Sequence, residues 1–158
     1  MRAVALSPFL AVAAALLTAP AALGVNPAIT TLALSTNKPG ARPVGATITM
    51  REAELQCGRL VGGSLVVTFP RQMRLPRSIG ASSVLVGTNA ARAVSVAGRV
   101  VTVAVPVPRG VICDSITIGV ASVIFTRAAG LGNPKSPGAY LFSLRRGGVT
   151  TGSFFRIA

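Results

Sequence analysis

Hydrophobic and polar residues alternate with a period of two in segment after segment of the chain, beginning near residue 29. Ala46, Ile48 and Met50 alternate with polar neighbours, and Leu65 and Val67 belong to a similar run. Because successive side chains of a strand point to opposite faces, this pattern predicts strands with one buried side. No helical period follows residue 24, so the pattern predicts an all-β protein. We predict strands at 29–34, 46–51, 65–69, 84–86, 92–96, 101–105, 115–120 continuing towards 125, 139–144 and 153–157.

Turn-forming residues separate these segments. The pair Ala97-Gly98 lies between two Val-rich runs and predicts a hairpin, since glycine takes the positive φ that short hairpin turns require. About seven to nine short strands at this spacing favour an antiparallel β-sandwich over a barrel. Further turns are predicted at 38–40, 62–63, 106–110 and 147–148.

The first 24 residues have a different composition. Arg2 precedes an apolar run over residues 3–17, which is the outline of a secretory signal peptide. Cleavage motifs end at Ala21 and at Gly24, and we favour cleavage after Gly24. An uncleaved anchor is the less favoured alternative, because the run is shorter than the roughly 20 residues of a spanning helix. We therefore predict a signal peptide helix at 1–24, one domain at 25–158 and a secreted or cell-envelope location.

The charge balance is strongly basic. The chain has 16 Lys and Arg residues against 3 Asp and Glu residues, for a net charge of +13. Such a charge favours acidic partners electrostatically. The chain has far more arginine than lysine, a bias that a high-GC genome also produces. Two interpretations are therefore open: the arginines are solvated surface residues, or they form a surface that binds polyanions.

Two cysteines, Cys57 and Cys113, occur in the chain. In an exported protein such a pair predicts one disulfide bond. The long loop that the bond closes would stabilise the fold by roughly 4 kcal/mol in the chain-entropy account, although measured gains are often smaller. A zinc site is disfavoured because the chain has no histidine.

From residue 64 onward the order of short segments resembles the Ig-like repeat modules of bacterial exported and surface-layer-type proteins. The segments are 65–70 (LVVTFP), 75–79 (LPRSI), 84–87 (VLVG), 90–91 (AA), 94–98 (VSVAG), 101–103 (VTV), 129–134 (AGLGNP) and 135–142 (KSPGAYLF). The resemblance implies an Ig-like antiparallel sandwich that serves as a spacer, stalk or adhesive surface, and it implies no catalytic residues. The basic charge and the two cysteines depart from that pattern, which leaves a binding role open.

The segment Gly138-Ala139-Tyr140-Leu141-Phe142 is similar to the tyrosine corner of immunoglobulin domains. In that feature a Tyr hydroxyl bonds to a nearby backbone group. A partly buried strand tyrosine without this bond is the alternative. Neither interpretation assigns a function to Tyr140.

The supply of chemically active residues argues against an enzyme. Without histidine there is no base for a Ser-His or Cys-His nucleophile and no imidazole for copper or zinc. The acidic residues are Glu52, Glu54 and Asp114, too few to favour a glycosidase pair. Aromatic residues are sparse, which disfavours nucleic-acid binding by base stacking. We predict no enzyme activity, no cofactor and no nucleic-acid partner.

One local cluster is a candidate binding site. Residues 71–77 hold Arg71, Arg74 and Arg77, and Arg145 with Arg146 would extend the cluster if the fold brought them close. Guanidinium groups pair well with the phosphates or carboxylates of an envelope polymer. Two hypotheses follow: a structural or adhesive envelope module that contacts other surface proteins, and a cationic binder of anionic surface polymers through this arginine-rich face.

Overall fold

The computed structural model describes residues 29–55, 63–106, 117–146 and 148–158, and it is an all-β sandwich. The described strands form two antiparallel sheets of five strands each. The first sheet has the order β1-β2-β8-β4-β5 and the second has the order β10-β9-β3-β7-β6. The strands are β1 (Ile29–Leu34), β2 (Ala46–Leu55), β3 (Ser64–Thr68), β4 (Val84–Val86), β5 (Asn89–Ala90), β6 (Ala93–Ala97), β7 (Val100–Ala104), β8 (Thr117–Phe125), β9 (Gly138–Arg146) and β10 (Val149–Ile157).

The core lies between the two sheets and follows the predicted alternation. Leu65 and Val67 of β3, Val101 and Val103 of β7, and Phe125 of β8 are fully buried. The rings of Phe69 and Phe125 meet edge to face across the sandwich, with centroids 5.6 Å apart and an interplanar angle of 76°. This geometry is the one that aromatic quadrupoles favour.

The sheets are joined along both sides. On one side β1 lies beside β10, where Thr30 Oγ1 and Thr151 Oγ1 are 2.7 Å apart and Ala158 N donates to Asn37 O. On the other side the chain passes directly from β5 to β6, and Ala91 N donates to Val84 O. The edge strands of the two sheets therefore lie beside each other on both sides of the sandwich.

The predicted strands are confirmed over the described residues, with differences at their ends. Residues 115 and 116 of the predicted strand 115–120 lie outside the described residues. The ten described strands exceed the predicted seven to nine by β5, which is only two residues long and was not predicted. Strands β2, β9 and β10 extend beyond their predicted bounds. Alternation is a weak signal in a strand as short as β5, and strand ends depend on pairing partners that the sequence does not show.

The predicted hairpin turn and tyrosine corner are also confirmed. Ala97 pairs with Val100, so the turn is Gly98-Arg99, one residue later than predicted, and Gly98 has φ of 60°. The Tyr140 hydroxyl donates to Ser136 O at 2.8 Å, which is the backbone tie of a tyrosine corner.

Candidate anion-binding end of the sandwich

Four connections meet at one end of the sandwich. Ala46 and Val84 both pair with Phe125, which places the start of β2, the start of β4 and the end of β8 at the same end of the first sheet. In the second sheet Thr68 pairs with Val100, so the end of β3 and the start of β7 also lie together. We call residues 35–45, 69–83, 98–99 and 126–137 the basic end.

Backbone hydrogen bonds tie these connections together. Val44 N donates to Leu131 O at 2.9 Å, and Asn133 N donates to Ala41 O at 2.9 Å. On the other side of this segment, Arg74 and Gly132 exchange two backbone hydrogen bonds of 2.9 Å each. Residues 131–133 are therefore the middle of a small three-stranded arrangement, which holds side chains from different loops at fixed spacing.

Asn133 fastens the same region from inside. Its side chain is fully buried, and Nδ2 donates to Thr36 O at 2.8 Å and to Lys38 O at 2.9 Å. Asn133 Oδ1 is buried without a hydrogen-bond partner among the described residues. Buried amides stabilise irregular backbone by satisfying carbonyls that no strand pairs.

Positive charge is concentrated at the basic end. Eight of the 16 Lys and Arg residues lie there, and all eight side chains are exposed. They are Lys38, Arg42, Arg71, Arg74, Arg77, Arg99, Arg127 and Lys135. The four connections contain no Asp or Glu, so no carboxylate of these segments offsets the charge.

The outer face of the second sheet carries little charge by contrast. Among the described side chains of β3, β6, β7, β9 and β10 that point outward, only Arg145 and Arg156 are charged. The same face holds Ala, Ser, Thr and Val residues and one exposed apolar pair, in which Leu141 lies opposite Phe154 on the neighbouring strand. Within these described segments, positive charge is thus concentrated at the basic end.

The structure separates the candidate residues into two groups. Arg71, Arg74 and Arg77 belong to the basic end. Arg145 pairs with Val66 and Arg146 with Leu65, at the start of β3 and the opposite end of the second sheet. Arg145 and Arg146 therefore do not extend the cluster of residues 71–77.

Sequence reasoning missed the other five cations of the basic end. Lys38, Arg42, Arg99, Arg127 and Lys135 are scattered in sequence and each looked like an isolated solvated residue. One signal was available: each of the five lies in or beside a segment rich in Gly and Pro, which are typical of connections between strands. Which connections share an end becomes clear only from the strand order.

Arg42 and Arg74 lie on either side of Gly132 within the basic end. A Cβ built on Gly132 would lie 3.3 Å from Arg74 Cβ and 3.5 Å from both Cβ and Cδ of Arg42. The two arginine side chains therefore start on the same face of the small arrangement, on either side of a residue that has no side chain. The two stems lie against the position of the missing side chain and cover Gly132, which is itself buried; we call the space above Gly132, between the two guanidinium groups, the slot.

The two predicted disulfide cysteines lie outside the described residues, as do Asp114 and the predicted signal peptide. In the part of the chain that the structure describes, no group of three or more His, Cys, Asp or Glu residues could hold a metal ion. Within that part, no helix is long and apolar enough to cross a membrane.

Solved structures with low sequence identity to this chain include the following two. One is the bacterial hydrophobin BslA, which is 14% identical, with a TM-score of 0.47 over 83% of this chain and 96% of that chain. The other is the N-terminal domain of the Streptococcus gordonii adhesin Sgo0707, which is 12% identical, with a TM-score of 0.47 over 82% of this chain and 31% of that chain. No protein-family model matches the chain. No curated protein matches it either. Membership of the Ig-like repeat modules stays a prediction from the sequence.

Proposed function

We propose that the protein is a non-catalytic module of the cell envelope that attaches to anionic surface polymers through the basic end. The observation that carries this proposal is the concentration of eight exposed cations, without a carboxylate, on four connections of one end. Such a surface attracts polyanions and holds them by many weak contacts.

The remaining parts of the proposal rest on the sequence. The extracytoplasmic location follows from the predicted signal peptide at residues 1–24. The non-catalytic role follows from the lack of histidine and the supply of only 3 acidic residues. In this proposal the structural or adhesive role of the protein is to attach its sandwich domain, at one end, to an envelope polymer.

The test is a binding measurement with paired variants of equal charge. Arg71→Ala with Arg77→Ala removes two exposed cations from the basic end, and Arg92→Ala with Arg145→Ala removes two exposed cations from elsewhere. We expect the first variant to weaken binding to isolated anionic envelope polymers about tenfold at low salt, and the second to leave it within about threefold. Binding of the unmodified protein should also weaken steeply as ionic strength rises, because salt screens exposed charges.

Two results would overturn the proposal. Equal weakening by both variants would show that net charge matters and its location does not. No binding by the unmodified protein at low salt would remove the polymer as a partner.

A further inference from the structure

The basic end contains one place where two cations are held at a fixed separation. Residue 42 and residue 74 lie on the outer segments of the small three-stranded arrangement, with Gly132 between them. Neighbouring strands are about 4.8 Å apart, so the two arginine Cα atoms are roughly 10 Å apart. Arginine side chains are long enough for their guanidinium groups to meet over the slot from both sides.

The backbone beneath the slot is rigid and already satisfied. Gly132 N donates to Arg74 O, and Arg74 N donates to Gly132 O. Residues 131–134 are buried although they belong to a loop region. A ligand in the slot would therefore bind to the two guanidinium groups and not to backbone N–H groups of Gly132 or Asn133.

The lack of a side chain at residue 132 is what lets the two arginine stems lie close together beneath the slot. A methyl group there would approach Arg74 Cβ to 3.3 Å, which is closer than ordinary van der Waals contact, and would press on the Arg42 stem. Two like charges beside each other without a carboxylate are also unfavourable by themselves. An anion between them removes that repulsion.

We propose that Arg42 and Arg74 form a discrete site over Gly132 for one tetrahedral oxyanion, a phosphate or a sulfate group of the bound polymer. The site rests on the proposed function, because it is where that polymer would be gripped. The two parallel N–H groups on one edge of a guanidinium, its fork, satisfy the two oxygens of a carboxylate. A tetrahedral oxyanion presents oxygens to a second fork on its other side, so two converging arginines favour phosphate or sulfate over carboxylate.

The test compares lysine variants that keep the charge. Arg42→Lys with Arg74→Lys preserves both positive charges and removes both forks, and Arg77→Lys with Arg127→Lys does the same elsewhere in the basic end. The probes are inorganic polyphosphate, dextran sulfate and polygalacturonate, which present phosphate, sulfate and carboxylate groups. Their affinities for the purified protein are measured by calorimetry at one fixed salt concentration.

We expect the Arg42 and Arg74 variant to lose about tenfold in affinity for polyphosphate or dextran sulfate, which corresponds to about 1.4 kcal/mol. The polyanion that loses more affinity identifies the preferred group. The Arg77 and Arg127 variant should lose clearly less affinity, about two- to threefold, because these residues of the basic end keep their attraction for the polymer as lysines. Both variants should bind polygalacturonate alike.

A glycine pair provides an independent check. Gly132→Ala pushes the two arginine stems apart and leaves every charge in place, so it should weaken binding of the preferred polyanion severalfold. Gly148→Ala is the matched control, because a Cβ there meets nothing within 4 Å. Circular dichroism establishes that both variants are folded before affinities are compared.

The outcomes separate this site from the proposed function. If the unmodified protein binds polyanions and the two lysine variants weaken alike or not at all, the discrete site is wrong and diffuse attraction by the basic end remains. If the unmodified protein binds none of the three probes, both proposals fail.

Discussion

The two phenylalanines Phe125 and Phe154 show how strongly the environment of a residue decides its contribution. Phe125 is fully buried and contacts the ring of Phe69 from the opposite sheet. Phe154 is 68% exposed on the outer face of the second sheet, where its strand neighbour is Leu141. The same side chain therefore joins the sheets at one position and contacts mainly solvent at the other.

We predict that Phe125→Ala lowers the free energy of unfolding by about 3–5 kcal/mol, because it removes a large buried side chain and leaves a cavity. Phe154→Ala should lower it by less than about 1 kcal/mol, since exposed positions contribute little. Urea unfolding of both variants measures the difference. Similar losses at the two positions would contradict the placement of Phe125 between the sheets.

At the scale of elements, the contact between β1 and β10 joins the edges of the two sheets. Thr30 is only 5% exposed, and its hydroxyl lies 2.7 Å from that of Thr151. The Ala158 N to Asn37 O bond makes a second tie near the other end of these strands. These two contacts hold the edge strands of the two sheets together at two points along one side of the sandwich.

A double-mutant cycle tests this contact. Thr30→Val and Thr151→Val each keep the shape of the side chain and remove one hydroxyl. We expect Thr30→Val to cost about 1 kcal/mol, because the Thr151 hydroxyl then loses its closest partner. The double variant should cost less than the sum of the singles, with a coupling energy of about 0.5–1.5 kcal/mol from urea unfolding. Additive effects would mean that the two hydroxyls do not interact.

At the scale of the whole molecule, the predicted disulfide would connect two strands that are already neighbours. Leu55, the last residue of β2, pairs with Thr117, the first residue of β8. Cys57 follows Leu55 by two residues, and Cys113 precedes Thr117 by four. Strands β2 and β8, which are the described strands nearest to the two cysteines in sequence, therefore have neighbouring ends. This arrangement supports the prediction of a disulfide bond.

We predict that the native protein has no free thiol and that reduction lowers its melting temperature. The expected loss of stability is at most about 4 kcal/mol, because the bond restricts the unfolded chain more than it alters the folded one. Thiol titration under denaturing conditions and a melting curve with and without reductant make the measurement. Detection of two free thiols would show that the cysteines are not paired.

Much of the fold could be predicted from the sequence because its signals are local. Alternation at residues such as Ile48 and Val103 depends only on which face of a strand meets the core, so it identified the strands and most of the core. Glycine at position 98 indicated a hairpin because of its own backbone freedom. Tyr140 could be paired with a nearby carbonyl because the bond spans four residues.

The tertiary structure alone decided which loops meet. Arg71, Arg74 and Arg77 were recognisable as a cluster because they are close together in sequence. Arg42 lies about thirty residues before Arg74, and the two side chains come close because both pack against Gly132. The pairing of Arg145 with Val66 likewise places that arginine at the end of the sandwich opposite the basic end. Composition determined the amount of positive charge, and strand order determined its location, because residues distant in sequence become neighbours only when the sheets pair.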